Sequence, residues 1–194
     1  GVAGLKNYYE AQGADVLLLD AGDFSQGSTL VSYYKGKNAA EYMAAAGYDA
    51  VSMGNHEFDY SFDALLDNMK VLTDAGVKVI DANVINKETV KSYFDANAVF
   101  EFDGIKVGVF GLDTSETLTK ASPSNVKAVN FLDKEEMFKE AQAQVDKLKS
   151  AGCDYIIALT HLGVDEESVG RRSTDLAAAV KGIDLIVDGH SHTV

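Results

Sequence analysis

The sequence predicts an α/β layered sandwich built on a mixed, largely parallel sheet. At five places a helical pattern ends in a glycine and an apolar, β-branched run begins about two residues later. Those runs alternate little between polar and apolar residues, as strands do when helices cover both faces. One pair of runs is instead joined by Asp103-Gly104, the short turn that most strongly signals a hairpin.

The elements come in order along the chain. Residues 3–12 read as a helix closed by Gly13, a residue suited to the left-handed position after a helix, and the run 15–20 (DVLLLD) comes next as a strand. The same punctuation recurs at Gly47-Tyr48-Asp49, Gly76-Val77-Lys78, Gly152-Cys153-Asp154 and Gly182-Ile183-Asp184, ahead of the runs AVSM, VKVI, YIIALT and LIV. Residues 98–112 form the predicted hairpin. Asp133 and Glu136 have the spacing of a capping box ahead of an amphipathic helix over about 134–151. The single proline, Pro123, lies in a Ser-rich polar stretch, 114–125, that reads as a surface loop.

With 194 residues and 46% hydrophobic content the chain can bury a full core, and its length favours one domain. A formal net charge of −13 argues against a nucleic-acid backbone or an anionic membrane as the main partner, because both require positive patches. No apolar run approaches the roughly 18 residues a membrane span needs. The one cysteine, Cys153, opens a predicted strand and reads as a buried structural thiol. An acidic protein that handles a phosphorylated substrate must neutralise its own site, for which metal ions are the usual means.

The chemistry collects at strand ends, the edge where open α/β sheets bind ligands. The strand ending at Asp20 runs into Ala21-Gly22-Asp23-Phe24-Ser25. The next run, 48–53, leads into Gly54-Asn55-His56-Glu57-Phe58-Asp59. The later strands deliver Thr160-His161-Leu162-Gly163 and Asp188-Gly189-His190-Ser191-His192. All four histidines of the chain therefore fall at predicted strand C-termini. An Asp, an Asn and three His on one edge form a mixed oxygen and nitrogen set suited to Zn, Mn, Fe or Co rather than Ca or Mg. Alternatives stand beside each residue: Asp23 as a turn or cap residue, Asn55 as a left-handed turn residue, and Asp59 as a helix cap or as the partner that fixes the His56 tautomer. Glu57 is read as a brace and Phe58 as packing. The pair Arg171-Arg172 reads as a solvated loop before it reads as a phosphate site.

The ordered blocks GDFSQGS, GNHEFD, THLG and GHSH resemble those of the calcineurin-like metallophosphoesterases, in the branch of 5′-nucleotidases, UDP-sugar hydrolases and 2′,3′-cyclic-nucleotide phosphodiesterases. The resemblance implies a four-layer αββα sandwich. It implies that Asp23 bridges two divalent transition metals, that Asn55, His161 and His190 complete one site, and that His192 belongs to the other. His56, oriented by Asp59, resembles the catalytic dyad that assists attack by a metal-bound water or hydroxide on a nucleotide or other small phosphoester. The resemblance also implies an extracellular, cell-surface or periplasmic setting.

An opening Asp-x-His motif, which supplies two ligands to the second site in that family, is not found, nor is the family's C-terminal nucleotide-binding domain. Residues 1–194 are thus expected to be one metallophosphatase domain fragment. It would hold two metals or only one, and its uncovered strand edges would favour self-association. The rival expectation is a catalytically impaired fragment that binds one metal or none and has only a structural or partner-dependent role.

Overall fold

The computed structural model describes residues 1–193. The chain runs through α1 (Val2–Glu10), β1 (Leu19–Asp20), α2 (Thr29–Tyr33), α3 (Lys37–Ala46), β2 (Ala50–Val51), a 3₁₀ turn (Asn55–Phe58), α4 (Phe62–Asp74) and β3 (Lys78–Val79). It continues through β4 (Val84–Asn86), β5 (Asn97–Phe102), β6 (Ile105–Asp113), α5 (Thr117–Lys120), β7 (Val129–Phe131) and α6 (Lys134–Ser150). The last elements are β8 (Tyr155–His161), a second 3₁₀ turn (Glu166–Ser168), α7 (Ser173–Ala179) and β9 (Leu185–Asp188).

Two main sheets form, as the four-layer αββα sandwich implies, where the residues alone suggested a single mixed sheet. The first is all parallel in the order β1-β2-β3, with Leu19 opposite Ala50 and Val51 opposite Val79. The second has the order β5-β6-β8-β9, where β5 and β6 are the antiparallel hairpin turned at Asp103-Gly104 and the rest pair in parallel. A small antiparallel ribbon of β4 and β7 was not foreseen.

Three apolar clusters show how these pieces stack. Met43, Val51, Phe58, Leu65, Met69 and Leu72 fill the space between the first sheet and α3 and α4. Phe110, Leu112, Met137, Val145, Ile156 and Leu176 do the same between the second sheet and α6 and α7. Ala50, Ile80, Val109 and Leu159 meet between the two sheets. Three buried interfaces require four layers, helix on sheet on sheet on helix. The strands lack polar alternation because each sheet has one face under helices and the other against its partner sheet.

Several local expectations change. Of the run 15–20 only Leu19–Asp20 joins a ladder, and β1 ends its sheet, paired on one side alone. Beside it lies a groove of about 560 Å³ lined by Leu17, Phe102, Val107, Tyr155 and Ile157. The helix α1 has no buried residue and exposes Leu5, Tyr8 and Tyr9. Asp133 caps α6 by accepting from the Lys134 amide, and the Glu136 amide reaches only the Asp133 carbonyl, so no capping box closes. The stretch 114–125 is not a plain surface loop. It carries α5, buries Thr117 and Asn125, and through Asn125 Nδ2 donates at 2.9 Å to the Phe58 carbonyl.

Candidate metal centre

Strands β1, β2 and β8 deliver their C-terminal ends to one edge, and short backbone contacts hold the loops that leave them. After β1 the chain turns sharply through Gly22 (φ +90°), where an added Cβ would lie 2.6 Å from the Gly54 amide nitrogen, so only glycine lets the two loops touch. Asp23 comes next in the left-handed region (φ 68°), as do His190 (φ 76°) and His192 (φ 51°) near the end of the chain. Non-glycine residues held there cost energy, and they cluster at functional sites.

Glu57 ties the loops together. Its buried carboxylate accepts from the amides of Asp23 at 2.7 Å, Ser25 at 3.0 Å and Gly54 at 2.8 Å. Burial first, then the nearby Asp23 charge, pushes it up to about 7. The bracing role read from sequence is therefore the role it has, and Phe58 is fully buried as expected.

Asp23 Oδ1 accepts from the His56 amide at 2.9 Å, and Oδ2 lies 2.9 Å from His161 Nε2. His161 ends β8, is almost fully buried, and its Nδ1 donates to the Ala21 carbonyl at 2.6 Å. Gly189 makes room for this ring, since a Cβ there would meet Nδ1 at 2.9 Å. Burial pulls the His161 imidazole down, but the Asp23 carboxylate beside it more than offsets this and pushes it up to about 9. Although burial raises Asp23, contacts with His161 and His56 hold it below the usual carboxylate range. Asp20 and Asp113 are both pushed up, chiefly by burial, Asp20 to about 6. Carboxylates thus crowd this edge around one imidazole.

Of the eight buried side-chain atoms without a hydrogen-bond partner among the described residues, two belong to candidate ligands: Asn55 Oδ1, and His161 Nε2, whose contact with Asp23 is close but not aligned as a hydrogen bond. Native interiors rarely strand such atoms without a reason. The ring of His190 crosses that of His161 with centroids 5.1 Å apart at 64°. In kind, an Asp, an Asn carbonyl and two imidazoles fit one borderline divalent cation. Among the described residues, however, no three His, Cys, Asp or Glu side chains are grouped closely enough to enclose an ion. His192 is exposed, enters no hydrogen bond or ion pair there, and lines a cavity of about 330 Å³ with Val164, Ser173 and Asp188.

His56 Nδ1 and Asp59 Oδ2 meet at 2.6 Å at the rim, where the imidazole is 38% exposed. Ser61, not Asp59, caps α4, accepting from the Ala64 amide.

Two groups escaped the sequence reading. Asp188 braces the last turn, accepting from the Thr160 hydroxyl at 2.7 Å and the Leu162 amide at 2.9 Å. Glu116 joins Ser168, Lys120 and His190, and although burial raises it, those contacts hold it down at about 2. Its position in a polar, Ser-rich stretch concealed it. Arg171 and Arg172 are engaged rather than solvated: Arg171 pairs with both oxygens of Asp133 at 3.1 and 3.0 Å, and Arg172 with Asp175 at 3.0 Å.

Comparison with known proteins agrees on one neighbourhood. The family model described as bacterial capsule synthesis protein PGA_cap matches residues 16–194. A 5′-nucleotidase of Diplobatis ommata is 38% identical over 187 residues, covering 94% of this chain and 30% of the relative. Among solved structures, a 5′-nucleotidase precursor from Thermus thermophilus superposes with a TM-score of 0.81 at 35% identity, over 100% of this chain and 36% of that one. The calcineurin-like phosphoesterase YfkN from Bacillus subtilis reaches 0.83 at 28% identity, over 99% and 63%. The chain therefore spans about a third of the length of the curated relatives it matches.

Proposed function

Because the chain belongs to the calcineurin-like metallophosphoesterases, in the 5′-nucleotidase branch and the PGA_cap family, we propose that it forms the metal-dependent catalytic domain of a hydrolase acting on nucleotide phosphoesters. The observation that carries this reading is the buried, unpartnered His161 Nε2 standing 2.9 Å from the Asp23 carboxylate, with Asn55 Oδ1 likewise buried without a partner.

In this reading Asp23, Asn55, His161 and His190 hold one divalent transition metal, Zn, Mn, Fe or Co, and His192 with Asp23 contributes to a second. Such ions supply Lewis acidity toward a phosphoryl oxygen and lower the pKa of water. The protein's own residues do the rest. Glu57 fixes Asp23 through its backbone amide, and the Ala21 carbonyl holds the Nδ1 proton of His161. Asp59 orients His56 through Nδ1, so that Nε2 would face the departing alkoxide or a developing phosphoryl charge. The half-exposed rim position of His56 suits a group that must meet substrate.

A second reading has one specific observation in its favour. His192 is exposed and the described residues contain no three-residue cluster, which fits a domain that holds a single ion and hydrolyses poorly. Among the described residues no helix is long and apolar enough to cross a membrane. The proposal extends to an extracellular or periplasmic setting and to self-association through the one-sided strand β1.

Hydrolysis of p-nitrophenyl phosphate and of a 5′-nucleotide with added Mn or Zn tests the assignment. Wild type should turn over, and His56→Ala should lose about 10²–10⁴-fold, the range of general acid–base assistance. Undiminished turnover in His56→Ala would remove that residue from the chemistry.

A further inference from the structure

Resting on the metal-site reading above, we propose that Glu116 is the positioning residue for His190: its carboxylate fixes the imidazole as the Nε2–H tautomer and leaves the Nδ1 lone pair as the donor for the metal. An imidazole can offer a lone pair from only one nitrogen while the other carries its proton, and the acceptor facing the protonated nitrogen decides which. His190 Nε2 lies 3.3 Å from Glu116 Oε2, with both side chains largely buried.

The carboxylate is itself anchored from three directions. Ser168 Oγ donates to Oε1 at 2.5 Å, Lys120 Nζ to Oε2 at 2.9 Å, and Arg171 Nη1 approaches Oε1 at 3.6 Å. Arg171 is locked in turn by its two-pronged pair with Asp133, and Asp133 also accepts from Ser115 Oγ at 2.7 Å. A carboxylate held this way only accepts.

Lys120 is the competitor, because its Nζ also stands 3.2 Å from His190 Nε2 and an ammonium only donates. The two contacts select opposite tautomers. If Nε2 accepted from Lys120, its lone pair would face the Glu116 oxygen, two acceptors 3.3 Å apart. The lysine side chain is 49% exposed against 12% for Glu116, and its ammonium is closer to the carboxylate than to the ring. Lys120 therefore serves Glu116, and Glu116 serves the ring. His161 has the mirrored arrangement, its Nδ1 proton held by the Ala21 carbonyl and Nε2 turned to Asp23. The two imidazoles would offer opposite nitrogens.

Long-range ¹H–¹⁵N correlation on histidine-labelled, metal-free protein reads the tautomer directly, and titration with Zn against a chelator reads affinity. Wild-type His190 should carry its proton on Nε2. Glu116→Ala should mix the tautomers and weaken Zn binding about 10–100-fold, the usual cost of losing a partner behind a metal ligand. Glu116→Gln, whose amide oxygen accepts the same N–H, should restore the tautomer and most of the affinity, and Lys120→Ala should keep the tautomer. A proton on Nδ1 in the wild type, or a tautomer that switches in Lys120→Ala, would overturn the proposal. So would a Glu116→Ala variant that matches the wild type in both readouts. If Glu116→Ala fails to fold, Glu116→Gln and Lys120→Ala decide between the same outcomes. A wild type that binds no Zn would sink the metal-site reading, while the metal-free spectrum would still report on Glu116.

Discussion

Replacing Glu57 by Gln is the sharpest structural test, because one buried carboxylate holds three loop amides. In the folded protein Oε2 accepts from Asp23 and Gly54, and Oε1 from Ser25. Glutamine keeps one acceptor oxygen and places an NH₂ where the other stood, so at least one amide faces a donor. A buried donor without a partner costs about 1–3 kcal/mol. Against this, the substitution removes a buried charge that is itself disfavoured, as the rise of Glu57 to about 7 records. At pH 8, where the carboxylate is ionised, the net loss should be about 2 kcal/mol, or roughly 4–8 °C in melting temperature for a domain of this size. The loss should grow toward pH 5, because a carboxyl raised to about 7 stabilises the fold as it takes up its proton, whereas glutamine does not titrate. Thermal melts followed by circular dichroism in chelator, at both pH values, make the comparison. A Glu57→Gln variant that melts within about 1 °C of wild type at pH 8 would refute the claim that this carboxylate holds Asp23 in place.

The same geometry sets further outcomes. Metal-free protein should lose stability as pH rises from about 5 to 9. Glu57 and Asp81, both pushed by burial to about 7, favour the fold below their unfolded values and lose that contribution as they ionise, and the His161–Asp23 pair is lost as pH passes about 9. A melting temperature that climbs over this range would show the signs to be wrong. Asp59→Asn should lower kcat with little change in KM, since Asp59 contacts His56 rather than the space in front of it; an equal effect on KM would place it in substrate binding. Gly22→Ala should unfold or severely destabilise the domain, because its Cβ would strike the Met53–Gly54 backbone at a positive φ, and a soluble variant that melts like wild type would contradict that packing.

The helix-to-strand joints were legible because glycine and β-branched runs mark them locally, and the hairpin because Asp103-Gly104 prescribes its own turn. The number of sheets was harder to read from residues alone. A face covered by a second sheet and a face covered by helices demand the same unbroken run of Val, Ile and Leu, so Leu159 between the sheets and Ile156 under α6 look alike in sequence. At the site, strand ends announced Asp23, Asn55 and the histidines. Glu116 and Asp188 act through contacts 74 and 28 residues away, and no local pattern encodes them. The left-handed backbone at Asp23, His190 and His192 was equally hidden, because such strain is imposed by the surrounding packing.

The claim that a divalent metal belongs among Asp23, Asn55, His161 and His190 is tested most directly by metal content per chain, measured by elemental analysis after dialysis against dilute Mn or Zn and then metal-free buffer. The account predicts at least one tightly held equivalent in the wild type and its loss in His161→Ala. A wild type that retains none, or a His161→Ala variant that retains as much as wild type, would contradict it.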